Sequence, residues 1–100
     1  METVITKEGT VLTVAPKGRL DTVNSASLKE AIDRAEPNGF DLVLDFTDVD
    51  YISSAGLRLL VALQKQVNET GNTLTVKNPG RVVREVFAIS GFSKRLTIVE

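Results

Sequence analysis

Two consecutive serines, Ser53 and Ser54, carry most of the chemistry this sequence offers. A serine hydroxyl at the mouth of a helix can accept a backbone N–H as a cap, or stand exposed as a handle for a phosphate. On spacing alone, capping fits either residue and leaves the other free. Ala55 and Gly56 follow at once, so the first helical turn carries almost no bulk and is open to a large partner. No glutamate stands three residues after either serine, so the reciprocal capping box is missing. Free N–H groups and the positive end of the helix dipole would favour a phosphate there. Asp45, Asp48, Asp50 and Asp21 are expected on nearby loops and would oppose it. A phosphate should therefore alter association more than fold.

The other side chains exclude much. There is no cysteine, hence no disulfide or thiolate chemistry, and no histidine, the commonest general base and metal ligand. A Ser-His-Asp triad is ruled out, and neither a phosphate-binding Gly-x-x-x-x-Gly-Lys-Ser/Thr loop nor a Gly-x-Gly-x-x-Gly turn is present. No catalytic residue and no cofactor is expected. Asp45, Asp48 and Asp50 suit backbone-bonding turns better than a divalent-metal loop, so no metal is expected either. Asp45 as the acceptor of a phospho-aspartate receiver domain would need an acidic pair after the first strand, where a hairpin stands instead. Twelve basic and thirteen acidic residues give a net charge of −1, without a pull toward nucleic acid. Arg81, Arg84, Lys94 and Arg95 read as a solvated face, and Phe92 and Val23 fit core or interface equally. The sequence has neither a bilayer-length apolar run nor a signal pattern, so a cytoplasmic protein without direct membrane insertion is expected. Binding or switching fits this equipment better than catalysis.

The elements that must position the serines follow from periodicity. Thr3 to Thr6 and Val11 to Ala15 form an antiparallel hairpin around Lys7–Thr10, and Arg19-Leu20 resumes a brief strand. Thr22 or Asn24 can cap a helix whose apolar face holds Leu28, Ala31, Ile32 and Ala35. Leu42 to Phe46 reads as a strand covered on both faces, leading through a polar loop into a helix from about Ala55 to Thr70. Leu59, Leu60, Leu63 and Val67 line that helix, and Gly71-Asn72 ends it. A strand at Leu74–Lys77, a helix with Val83, Val86, Phe87 and Ser90 on one face, and a strand at Leu96–Val99 complete the chain. The reading is α/β and a single domain, residues 1–100. It has a mostly parallel sheet with an N-terminal antiparallel hairpin, and helices packed on the sheet.

Val49-Asp-Tyr-Ile-Ser-Ser-Ala-Gly-Leu57 resembles the signature of STAS domains, named for sulfate transporters and anti-sigma factor antagonists. Gly18-Arg-Leu-Asp21 resembles an earlier family segment and Ser90-Gly-Phe92 its third-helix ending, so the likeness runs through the whole chain in order. The resemblance implies the STAS fold and, at this length, a stand-alone bacterial anti-sigma factor antagonist. Such a protein binds an anti-sigma factor that is also a serine kinase, and so frees a sigma factor for transcription. Phosphorylation from ATP releases it, and a metal-dependent serine phosphatase reverses the mark. Ser54 aligns with the acceptor. Asp21, Ser53, Ser54, Ala55, Gly56 and Leu57 are the implied partner-binding residues. Many members carry aspartate just before the acceptor, whereas this chain has Ser53. Ser53 is thus a secondary phosphorylation candidate, and loss of phosphorylation, leaving a constitutive binder, is a further option. The alternative function is a non-phosphorylated STAS-like subunit of a membrane lipid-transport or sensory complex.

Overall fold

Valine, isoleucine and threonine at alternating positions begin the chain as strands, because branched side chains pack well on a pleated surface. A computed structural model describes residues 1–100 and places β1 at Thr3–Glu8, β2 at Val11–Pro16 and β3 at Gly18–Leu20. β1 and β2 are antiparallel through a two-residue loop, Gly9-Thr10, with Gly9 at φ +56°, a conformation glycine adopts without penalty. Helix α1 (Thr22–Arg34) follows, then β4 (Asp41–Asp45), β5 (Val49–Ile52) and α2 (Ser54–Asn68). The chain ends with β6 (Leu74–Lys77), α3 (Arg81–Ser90), a single 3-10 turn at Phe92–Lys94, and β7 (Thr97–Val99).

Five strands form one sheet in the order β1-β2-β4-β6-β7, parallel except for the hairpin. This is the α/β arrangement expected from the sequence, with two differences. First, Val49–Ile52, which the sequence reads as part of a polar loop, is a strand in its own right, β5. It pairs in parallel with β3 as a separate two-stranded sheet. Asp50 lies exposed within it while Val49 and Ile52 are buried, a pattern too short and too polar to stand out as a strand. α2 therefore starts from β5 and not from β4.

Second, β4 is not covered on both faces. Leu42 and Leu44 are buried, whereas Asp41, Val43 and Asp45 are only half-buried. The register places Leu12, Leu42 and Leu74 in one row, and Val14, Leu44 and Val76 in the next, on the covered face. The opposite face carries the row Thr6, Thr13, Val43, Thr75 and Thr97. One continuous core joins the covered face to Leu28 and Ile32 of α1, Leu60, Leu63 and Val67 of α2, and Val83 and Phe87 of α3. Leu20 of β3 and Ile52 of β5 belong to the same core, which anchors the small sheet to the large one.

Two aspartates on β4 hold its ends. Asp41 accepts the Thr73 backbone N–H at 3.0 Å and the Asn72 amide at 3.1 Å, tying the segment after α2 to the sheet. Asp45 accepts the backbone N–H and hydroxyl of Thr47, so it serves the turn after β4. The bond from Thr73, then that from Asn72, holds the Asp41 carboxyl below its ordinary value of 3.8; the Thr47 hydroxyl does the same for Asp45. A depressed folded pKa contributes stability above the unfolded value, and that contribution is lost as pH falls through the folded value. Thermal unfolding between about pH 5 and pH 2 should therefore show stability falling on acidification. Asp41→Asn or Asp45→Asn should flatten that slope; an unchanged slope in both would remove these groups as its cause.

Candidate functional site

The site is built where β3 and β5 end together. Leu20 and Ile52 are register partners, so the next residues, Asp21 and Ser53, emerge side by side. Each caps a helix. Asp21 accepts the Asn24 backbone N–H at 2.9 Å and starts α1. Ser53 accepts the Gly56 backbone N–H at 3.2 Å and starts α2. The positive ends of two helix dipoles thus open beside each other. The expected caps for α1, Thr22 and Asn24, are displaced by Asp21. Thr22 is already the first helical residue, and the Asn24 side-chain amide donates instead to the Arg19 carbonyl at 2.8 Å.

The two serines differ in what their hydroxyls do. Besides accepting from Gly56, the Ser53 Oγ–H donates to the Leu20 carbonyl at 2.9 Å, and the Ser53 backbone N–H reaches the same oxygen at 3.0 Å. Ser53 is half-buried and its hydroxyl is engaged as both donor and acceptor. Ser54 is the first residue of α2 and exposed; its side chain points to no partner within the protein. Its position in the first turn leaves backbone N–H groups nearby without intrahelical acceptors. A modified Ser53 would lose its bond to Leu20, whereas Ser54 can change without loss of any internal side-chain hydrogen bond.

Gly56 and Leu57, implied as partner-binding, are both buried, and Ala55 is half-buried. Gly56 supports the site through close packing. A Cβ there would lie 2.6 Å from Ile52 Cγ1, 3.0 Å from the Leu20 carbonyl oxygen and 3.2 Å from Leu20 Cγ. Leu57 joins the core. The accessible surface at this point is made by exposed Thr22, Val23 and Ser54, with half-buried Asp21, Ser53 and Ala55. Val23 is 73% exposed at the start of α1, which assigns it to the surface; Phe92 packs against the core. Arg19 also borders the site, its guanidinium stacked 4.4 Å over the Tyr51 ring, an attraction typical of a cation above an aromatic face. That stacking follows from β3–β5 pairing, which periodicity alone did not show.

A STAS domain family model matches residues 2–100, and the chain belongs to that family. A protein named as an anti-sigma factor antagonist, BtrV of Bordetella bronchiseptica, is 42% identical over 67 residues, which are 67% of this chain and 55% of BtrV. The match thus spans little more than half of that relative's length. The anti-sigma-B factor antagonist of Bacillus subtilis is 28% identical over 81% of this chain and 74% of its own. Among solved structures, SpoIIAA in its unphosphorylated form superposes with a TM-score of 0.82 at 17% identity, covering 99% of this chain and 89% of SpoIIAA. The phosphorylated form of Bacillus SpoIIAA gives 0.73 at 16% identity, over 99% and 92%. These likenesses establish the fold.

The geometry separates neighbouring residues by their effect on stability. Ser53→Ala removes a cap and should destabilise by about 0.5–2 kcal/mol, whereas Ser54→Ala should stay within about 0.5 kcal/mol of the parent. Gly56→Ala should destabilise by about 1–3 kcal/mol, because Ile52 is buried and the Leu20 carbonyl is backbone. Urea unfolding of the three variants checks the order; equal midpoints for Ser53→Ala and Ser54→Ala would refute the assignment of the cap.

Proposed function

We propose that this chain is an anti-sigma factor antagonist that works by partner switching, and that Ser54 carries the switch. It acts by binding, not by catalysis. The observation behind this reading is the division between the serines: Ser53 is bonded on both sides, and Ser54 is exposed and free on the adjacent residue. The names of BtrV and the anti-sigma-B factor antagonist support the same reading. The unmodified surface around Asp21, Ser54, Ala55 and Val23 receives an anti-sigma factor with serine kinase activity in the cytoplasm, which frees the sigma factor. Asp21, held by its cap to α1, gives that surface a fixed negative charge beside the acceptor.

In the kinase complex the Ser54 Oγ attacks the γ-phosphorus of ATP. A new O–P bond forms as the bond to the β-phosphate oxygen breaks, ADP leaves, and the hydroxyl proton passes to solvent or a kinase base. The product carries about −1.5 to −2 charges at neutral pH. That charge is tolerated by the N-terminus of α2 but sits where the kinase had docked, so it weakens the complex. Water delivered by a metal-dependent phosphatase restores the hydroxyl and releases inorganic phosphate. Ser53 is a poor second acceptor, because modification would break the α2 cap.

Incubation with the kinase and ATP should add one phosphate by intact mass, and Ser54→Ala should abolish it. Labelling that persists in Ser54→Ala and disappears in Ser53→Ala would move the switch by one residue. Ser54→Asp should keep the parent circular dichroism spectrum yet bind the kinase at least tenfold more weakly by calorimetry. Equal affinity would count against charge as the means of release. Copurification with a transporter ATPase, without any mark, would favour a lipid-transport subunit instead.

A further inference from the structure

Two helical cations are paired with carboxylates one turn further on. On α1, Lys29 meets Asp33 at 2.6 Å, and on α3, Arg81 meets Glu85 at 3.2 Å. Arg34 of α1 and both cations of α2, Arg58 and Lys65, are not paired. Arg58 is exposed in the second turn of α2 and takes part in none of the chain's four ion pairs. Its helical neighbours at i−3, i+3 and i+4 are Ala55, Val61 and Ala62, so no carboxylate lies within a turn of it on its own helix. At i−4 stands Ser54. Residues four apart share one face of a helix, and an acid N-terminal to a base at that spacing is the favourable order.

We propose that Arg58 is the intramolecular partner of a phosphate on Ser54, a cation held unpaired until the mark supplies its anion. The inference rests on Ser54 as the modified residue. The guanidinium fork matches phosphate oxygens and can donate two N–H bonds to them. The other charged groups around the site serve it less well. Arg19 is stacked on Tyr51, Asp21 repels a dianion, and Lys65 lies nearly two turns beyond Arg58. Phosphorylation then changes the partner-facing surface twice. It adds negative charge at Ser54 and draws in a guanidinium that the unmodified protein leaves free for a partner. Release of the kinase would combine repulsion with loss of a cationic contact.

The test uses the full chain with phosphoserine inserted at position 54 during translation, which needs no kinase. A ³¹P NMR titration reads the second phosphate pKa directly. Against an Arg58→Gln protein, the parent should titrate roughly 0.3 unit lower, because a nearby cation favours the dianion. Arg58→Lys should keep most of that difference, and high salt should shrink it in the parent. Superimposable titrations of the parent and Arg58→Gln would overturn the pairing. Failure of a kinase to mark Ser54 would instead overturn the proposed switch and leave this coupling measurable, so the two failures are distinguishable.

Discussion

The Leu20 carbonyl oxygen is the point on which the site depends. It receives the backbone N–H and the hydroxyl of Ser53, and it faces the bare Cα of Gly56. These contacts fix the end of β3 against the first turn of α2. Because β3 and β5 pair in parallel up to Leu20 and Ile52, the same oxygen sets the spacing between the starts of α1 and α2. Two helices that begin side by side present two sets of unpaired N–H groups in one direction. Nothing in the larger sheet does this. Its role is to supply the apolar floor on which Leu20, Ile52 and Leu57 are held.

That arrangement separates support from exposure within two consecutive residues. Ser53 belongs to the scaffold, since its hydroxyl links two elements that are distant in sequence. Ser54 follows one helical step later, turned by about 100 degrees around the axis, and lies outside. The consequence for function is direct. A charge placed on Ser54 acts on whatever approaches the N-terminal turns, while the contacts among Leu20, Ser53 and Gly56 are left as they were. Switching of association without unfolding requires that separation.

Much of this was legible in the residues. The serine pair, the small residues after it and the apolar spacing of Leu59, Leu60, Leu63 and Val67 located the start and inner face of α2. The hairpin and the parallel order were legible from alternating branched residues and from helices between strands. Other features were hidden for physical reasons. β5 has four residues, two of them Asp50 and Tyr51, and gains its stability from pairing with an equally short β3, a contact made across the sequence. Asp21, Thr22 and Asn24 all suit a cap, and geometry after folding decides among them. The run Leu42–Phe46 resembles a strand buried on both sides because Val43 is apolar, yet Val43 sits in a row of threonines on the open face.

The serine at position 53 has a physical meaning where the family commonly carries aspartate. An ionised aspartate accepts a backbone N–H well but has no proton to donate. It could cap α2 through Gly56, yet its oxygens would be repelled by the Leu20 carbonyl that Ser53 now binds. Serine meets both groups, and it also leaves the α2 terminus without a fixed negative charge of its own. Under the proposed switch, a phosphate on Ser54 would then face Asp21, while the helix dipole and Arg58 would favour it. With aspartate at 53, a further charge adjacent to the acceptor would oppose the mark. Under the proposed switch, Ser53 would thus make a phosphorylated Ser54 easier to hold, shifting the balance without moving the site.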